Sequence, residues 1–144
     1  MTSKEWIIKD LRDYERLKAA EIQLSEEIKT LKMEQTLQAS RLDKMPSASG
    51  NSNDAKLVAA IAKQEDMELD LELTRRKIAD MDRLLSGLAA DELSIIQKTD
   101  IHWHKGIYEE LAVAMDIDIR QVYNRRDKVL NHLAVLRYGA GYRP

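Results

Sequence analysis

Two stretches of this chain repeat apolar residues every seven positions, and that double repeat limits the possible folds more than any other feature. In the first stretch, Ile7, Tyr14, Ile28 and Leu42 share one series, and Leu17, Leu24 and Leu31 share another, three residues on. Polar Glu21, Gln35 and Gln38 interrupt them. In the second stretch, Leu57, Gln64, Leu71, Ile78 and Leu85 form one series, and Ala60, Met67, Met81 and Leu88 form its companion, with Thr74 between. Seven residues are close to two helical turns, so each stretch presents an apolar seam along one side of a long helix. The first helix, about 40 residues at about 1.5 Å each, would be about 60 Å long. A helix of that kind with one wet apolar stripe is not stable alone and requires a partner.

Between the stretches lies Asp43–Asn53, DKMPSASGNSN, which has Pro46, Gly50 and no core residues. It predicts a flexible loop over 43–53 with Asp54 capping the second helix. Two long helices joined by such a loop fold back most simply into an antiparallel coiled-coil hairpin. Pairing of each seam with another subunit is the alternative, and polar seam residues tune register in either case. Thr2 and Glu5 have capping-box spacing at the start. Composition agrees with long helices: of 144 residues a third are charged, and Phe is absent.

The C-terminal third reads differently. Gly87 ends the second helix, and a third is expected from Glu92 to about Thr99, with Leu93 and Ile96 inward. Trp103 is expected as a core anchor, since no Phe fills volume there. Glu109-Glu110-Leu111-Ala112 opens a short helix that runs to Met115, and Asp116-Ile117-Asp118 breaks it. Asp118 is placed to cap a further helix, where Val122, Val129 and Leu133 recur at helical spacing. Arg120, Gln121, Tyr123, Asn124 and Arg125 then fall near the outer face, the residue types that enter a DNA major groove. Arg120, Gln121 and Asn124 are the candidates for reading bases. Lys105, Tyr123, Arg125, Lys128 and Arg137 are the candidates for the DNA backbone. The bland alternatives are a capping-box role for Gln121, solvated cations, and Arg126 packed on the first short helix and paired with Glu110.

Charge supports a nucleic-acid partner weakly. Residues 119–144 hold six basic residues against Asp127, a net of +5, which leaves −7 on the rest of a chain whose total is −2. A basic end on an acidic body suits one surface for phosphate and another kept away from it.

The run Ile117-Asp118-Ile119-Arg120-Gln121-Val122-Tyr123-Asn124-Arg125 resembles the recognition helix of the C-terminal promoter-reading region of sigma factors. With Glu109-Glu110-Leu111-Ala112 the likeness covers about forty residues. The wider layout, with Met45-Pro46-Ser47 at its centre, is similar to ArpU/RinA-like phage late-gene transcriptional activators. The resemblance implies a sigma-like helix-turn-helix, double-stranded DNA as ligand, RNA polymerase as a possible partner, and a bacterial host cytoplasm. Asp116 stands where such turns often carry Gly, so an Asp must hold a left-handed position. Gly106 or Ile107 stands where a Ser or Thr cap is common.

Catalysis has little to stand on. There is no Cys, no Gly-rich phosphate loop and no Ser/His/Asp motif. His102 and His104 are two apart with only His132 to join them, a poor ligand set, so no metal and no cofactor is expected. No apolar run has the length of a membrane span, and the N-terminus lacks a signal-peptide core.

The expected protein is therefore all-α and not an enzyme. Residues 1–88 form a long N-terminal antiparallel coiled-coil hairpin for oligomerisation or partner contact, and 89–137 a small three-helix helix-turn-helix domain, with a loose tail over 138–144. The expected function is sequence-specific transcription regulation as a homo-oligomer, a dimer or higher. A small terminase-like DNA-packaging subunit, or a coiled-coil interaction protein with a vestigial motif, is the alternative.

Overall fold

Thr2 and Glu5 begin the first helix as a complete capping box. The Glu5 amide donates to Thr2 Oγ1 at 3.2 Å, and the Thr2 amide donates to the Glu5 carboxylate at 2.9 Å. The computed structural model describes the backbone over residues 1–44 and 50–139, and the side chains over 1–41 and 55–139. Every described element is helical: α1 (Ser3–Lys44), α2 (Gly50–Ser86), α3 (Ala90–Ile96), α4 (Ile107–Met115) and α5 (Ile119–Tyr138). A π-helical turn, Gln97–Ile101, follows α3 directly.

Some boundaries differ from expectation. Helix α1 reaches Lys44 and α2 is already helical at Gly50, before Asp54, so helix occupies both ends of the segment read as a loop. Residues 45–49, the rest of that segment, lie outside the described residues. Tyr138 belongs to α5 rather than to a tail; its hydroxyl donates to Asp10 at 2.9 Å, and Gly139 ends the helix at φ 61°. The tail from 140 on lies outside the described residues.

The chain divides into two compact units. One holds residues 1–17 and the described residues from 78 on. Its core joins Ile7, Leu11 and Tyr14 of α1 to Ile78, Met81 and Leu85 of α2, Ile96 of α3, and Val129, Leu130, Leu133 and Ala134 of α5. The boundary expected at Leu88 therefore does not separate two cores. Leu11 explains why. It lies on neither heptad series yet is fully buried, because this end of α1 packs in a core that also holds α5. Tyr14 donates its hydroxyl to Asp82, and Lys4 pairs with Asp127 on α5. A smaller core, Ile107, Leu111 and Val122, joins α4 to α5.

Trp103 does not anchor this core; it is 61% exposed. Ile101 packs against the core instead, and aliphatic Ile96, Leu130 and Leu133 are fully buried in it.

The other unit is Lys18–Lys77, from α1 and α2. Among its described residues Ile28 and Leu71 are buried, with Leu24, Leu31, Gln64 and Met67 half-buried. Glu21 pairs with Arg75 at 3.3 Å and Lys32 with Glu68 at 3.5 Å. The seam is imperfect: Gln35 Nε2 and Gln64 Oε1 are buried without hydrogen-bond partners. Among the described residues, no helix is long and apolar enough to cross a membrane.

Candidate nucleic-acid interface

The candidate interface is built by a tight turn between α4 and α5. Asp116 takes the left-handed conformation, φ 53° and ψ 49°, and its amide donates to Val113 O at 3.2 Å. It is the one described non-glycine residue with positive φ. A short Asp tolerates that region better than most residues, and the Ile117 amide closes the turn on Ala112 O at 3.0 Å. Asp118 then occupies the N-cap position of α5 with extended backbone. Its side chain makes no cap bond; its carbonyl accepts from Gln121 at 2.9 Å and Val122 at 3.3 Å. Gln121 thus has no capping-box partner. Gly106, at φ 85°, starts α4, and Glu109 and Glu110 lie in the first turn, where the helix dipole favours them.

Burial on α5 fixes what faces out. Val122, Val129, Leu130, Leu133 and Ala134 are buried and Arg126 is half-buried, which defines the inward side. Arg120, Asn124 and Lys128 recur every four residues on the opposite side, with Gln121 and Arg125 alongside; all five are exposed. From Arg120 to Lys128 the stripe spans about 12 Å at about 1.5 Å per residue, close to the major-groove width of about 12 Å.

The other expected residues are placed differently. Tyr123 is exposed on one side yet stacks on Tyr108, ring centroids 4.2 Å apart and planes 12° from parallel. Burial pushes the Tyr108 hydroxyl above its ordinary value, against the opposing charge of Arg126. Lys105 is exposed beside the start of α4. Arg137 is half-buried and pairs with Asp80 of α2 at 3.2 Å, so its guanidinium is engaged within the chain.

Arg126 does not pair with Glu110. Its Nε and Nη2 donate to the two carboxylate oxygens of Asp100 at 3.0 and 2.7 Å. The Asp100 hydrogen bonds push the guanidinium pKa above its ordinary value, although burial works against it. Thr99 donates its hydroxyl to Ile95 O at 2.7 Å and lies 2.8 Å from the Asp100 carboxylate. Both residues are buried because the π-helical turn carries them inward. Nothing in the local sequence marks that turn, so neither residue could be singled out beforehand. Glu110 instead lies 3.5 Å from His104, and His102 lies 3.8 Å from Glu15.

Arg125 and Lys128 also line a cleft of about 340 Å³ whose opposite side carries Asp91 and Glu92, over a floor of Ile95 and Val129. Glu92 reaches back to the Ala89 amide at 3.0 Å and so holds the start of α3. These acids lower the local positive potential beside two phosphate candidates. Among the described residues, no group of three or more His, Asp or Glu side chains is placed to hold a metal ion.

Comparison with protein-family models, curated proteins and solved structures returns no match.

Proposed function

We propose that this chain is a sequence-specific DNA-binding transcription regulator, with α4 and α5 as a helix-turn-helix and α5 as the recognition helix. The observation that carries the reading is the exposed Arg120–Gln121–Asn124–Arg125–Lys128 stripe, opposite a side held by Val122, Arg126 and Val129. Arg can pair with a guanine edge, and Asn and Gln with adenine. Arg125, Lys128 and Lys105 hold phosphates, and Tyr123 borders the stripe. Arg137 is left out of the contact set because Asp80 engages it.

By resemblance the regulator is a phage or prophage late-gene activator acting beside a promoter in a bacterial cytoplasm. Its two long helices form an antiparallel coiled-coil hairpin, which the Glu21–Arg75 and Lys32–Glu68 pairs support. That hairpin mediates self-association or contacts RNA polymerase. One such motif reads few base pairs, and doubling it within an oligomer is the usual remedy.

The test is selection of bound fragments from sheared phage or host DNA, with an Arg120→Ala/Asn124→Ala variant in parallel. Wild type is expected to enrich a short site beside a promoter and the variant to lose it. Enrichment at a packaging start would replace regulation with a terminase-like role. No enrichment above the variant would remove the DNA reading.

A further inference from the structure

Helix α2 is apolar on two opposite sides within Lys18–Lys77. Its inward side carries Leu57, Gln64 and Leu71. At about 100° per residue, Val58, Leu69 and Leu73 lie about half a turn away from that seam. Nothing among the described residues covers them: they are 66%, 57% and 47% exposed. An apolar stripe of this kind is the mark of an interaction surface.

The charges along the same helix say what fits there. Glu65, Asp66, Glu68, Asp70 and Glu72 form an acidic run, and Arg75, Arg76 and Lys77 a basic one immediately after it. Two copies of α2 side by side and parallel would set acid against acid. Antiparallel about an axis near Leu71, they set Glu65 against Arg76 and Asp66 against Lys77 of the second copy, and Leu69 against Leu73. Glu72, close to that axis, already holds Arg76 at 2.8 Å, which offsets its repulsion from its own copy. The outward residues of α1, Ile22, Met33 and Leu37, are also exposed, but the same packing about Met33 and Leu37 sets Lys29 against Ser40 and Thr30 against Arg41 of the second copy, without charge complementarity.

We propose that the chain self-associates through α2, antiparallel and two-fold, with Leu69 and Leu73 packed reciprocally between copies. The proposal rests on the self-association assigned above to the long helices and not on DNA binding. An isologous contact of this kind closes at two chains.

The test uses the full chain, which contains no cysteine. Leu69→Cys and Leu73→Cys are made separately, mixed and oxidised. The mixed 69–73 disulfide is expected to predominate. In the antiparallel register two copies of the same position are offset by about 6 Å along the helices, which puts them beyond disulfide reach. Predominant 69–69 or 73–73 disulfide, or no cross-link, overturns the proposal. Independently, Leu69→Glu/Leu73→Glu should lower the solution mass from two 16.6 kDa chains to one with helicity unchanged. A wild-type mass of one chain, or a variant mass equal to wild type, overturns it as well. Neither readout involves DNA, so failure here is distinguishable from failure of the regulator reading.

Discussion

Asp100 and Arg126 meet through two parallel hydrogen bonds, 3.0 and 2.7 Å, with the Asp100 side chain 1% and the Arg126 side chain 18% exposed. The pair ties the π-helical turn to the inward side of α5, one turn beyond buried Val122. Breaking such a pair by removing one partner costs about 3–5 kcal/mol, because the other charge stays buried. Asp100→Ala and Arg126→Ala should each approach that loss in urea unfolding. Arg126→Lys should not restore stability, since one ammonium cannot reproduce the fork. An Arg126→Lys midpoint equal to wild type would show that geometry contributes little.

The cores predict that residues 89–144 do not fold alone. Ile7, Leu11, Tyr14, Ile78, Met81 and Leu85 all come from outside that segment and are all buried in its main core. Each apolar side chain is worth about 1.5–3 kcal/mol on burial, against a total stability of about 5–15 kcal/mol for an ordinary domain. Circular dichroism of the fragment should show a loss of helix and no cooperative melt. A cooperative melt would show that α3, α4 and α5 suffice.

The helical class and the outward stripe of α5 were legible because both depend on period alone, and burial of Val122, Val129 and Leu133 follows the 3.6-residue repeat. The Thr2–Glu5 box was legible because its chemistry is local. Leu11, Asp100 and Trp103 were not. Leu11 is buried in a core shared with a helix more than a hundred residues away, which no heptad pattern shows. Asp100 turns inward only because the helix widens at Gln97, and its partner is 26 residues on. Trp103 is expected inward because no Phe fills volume there, but large apolar residues are often exposed, and it is Ile101 that packs against the core.

Asp116 at φ 53° sets an order of substitutions. A β-branched residue there meets the full left-handed penalty of about 1–2 kcal/mol. Asp116→Val should therefore destabilise by about that amount, while Asp116→Gly should match or slightly exceed wild type. The side chain is exposed, so no core contact confuses the comparison. Denaturant midpoints in the order Gly, Asp, Val are expected; Val equal to Asp would mean that the turn relaxes.

Tyr138 predicts a loss of stability at alkaline pH. Burial, then its hydrogen bond to Asp10, raises its pKa from 10.0 to about 12. The folded state thus favours the protonated phenol. That contribution is complete below the unfolded value near 10 and disappears as pH rises through about 12. Wild type should therefore lose more stability than Tyr138→Phe between those limits. Phenolate absorbance should show one tyrosine fewer titrating in that range in the variant. Parallel declines in the two proteins would remove Tyr138 as the cause.

The proposed DNA contact divides the stripe by chemistry. Arg120→Ala and Asn124→Ala remove base-edge partners and should weaken specific binding by about 1–3 kcal/mol each while sparing random duplex. Lys128→Ala should weaken both duplexes alike and lower the salt slope by about one. Asp91 lies across the cleft from Lys128 and Arg125, so Asp91→Asn should strengthen binding to both and leave the specificity ratio unchanged. Glu92 is the poorer probe, because it holds the start of α3. Anisotropy titrations of a selected site and a random duplex at several salt concentrations separate these effects. Equal losses on both duplexes for Arg120→Ala and Asn124→Ala would assign the whole stripe to phosphates, and sequence reading would then have to come from elsewhere in the chain.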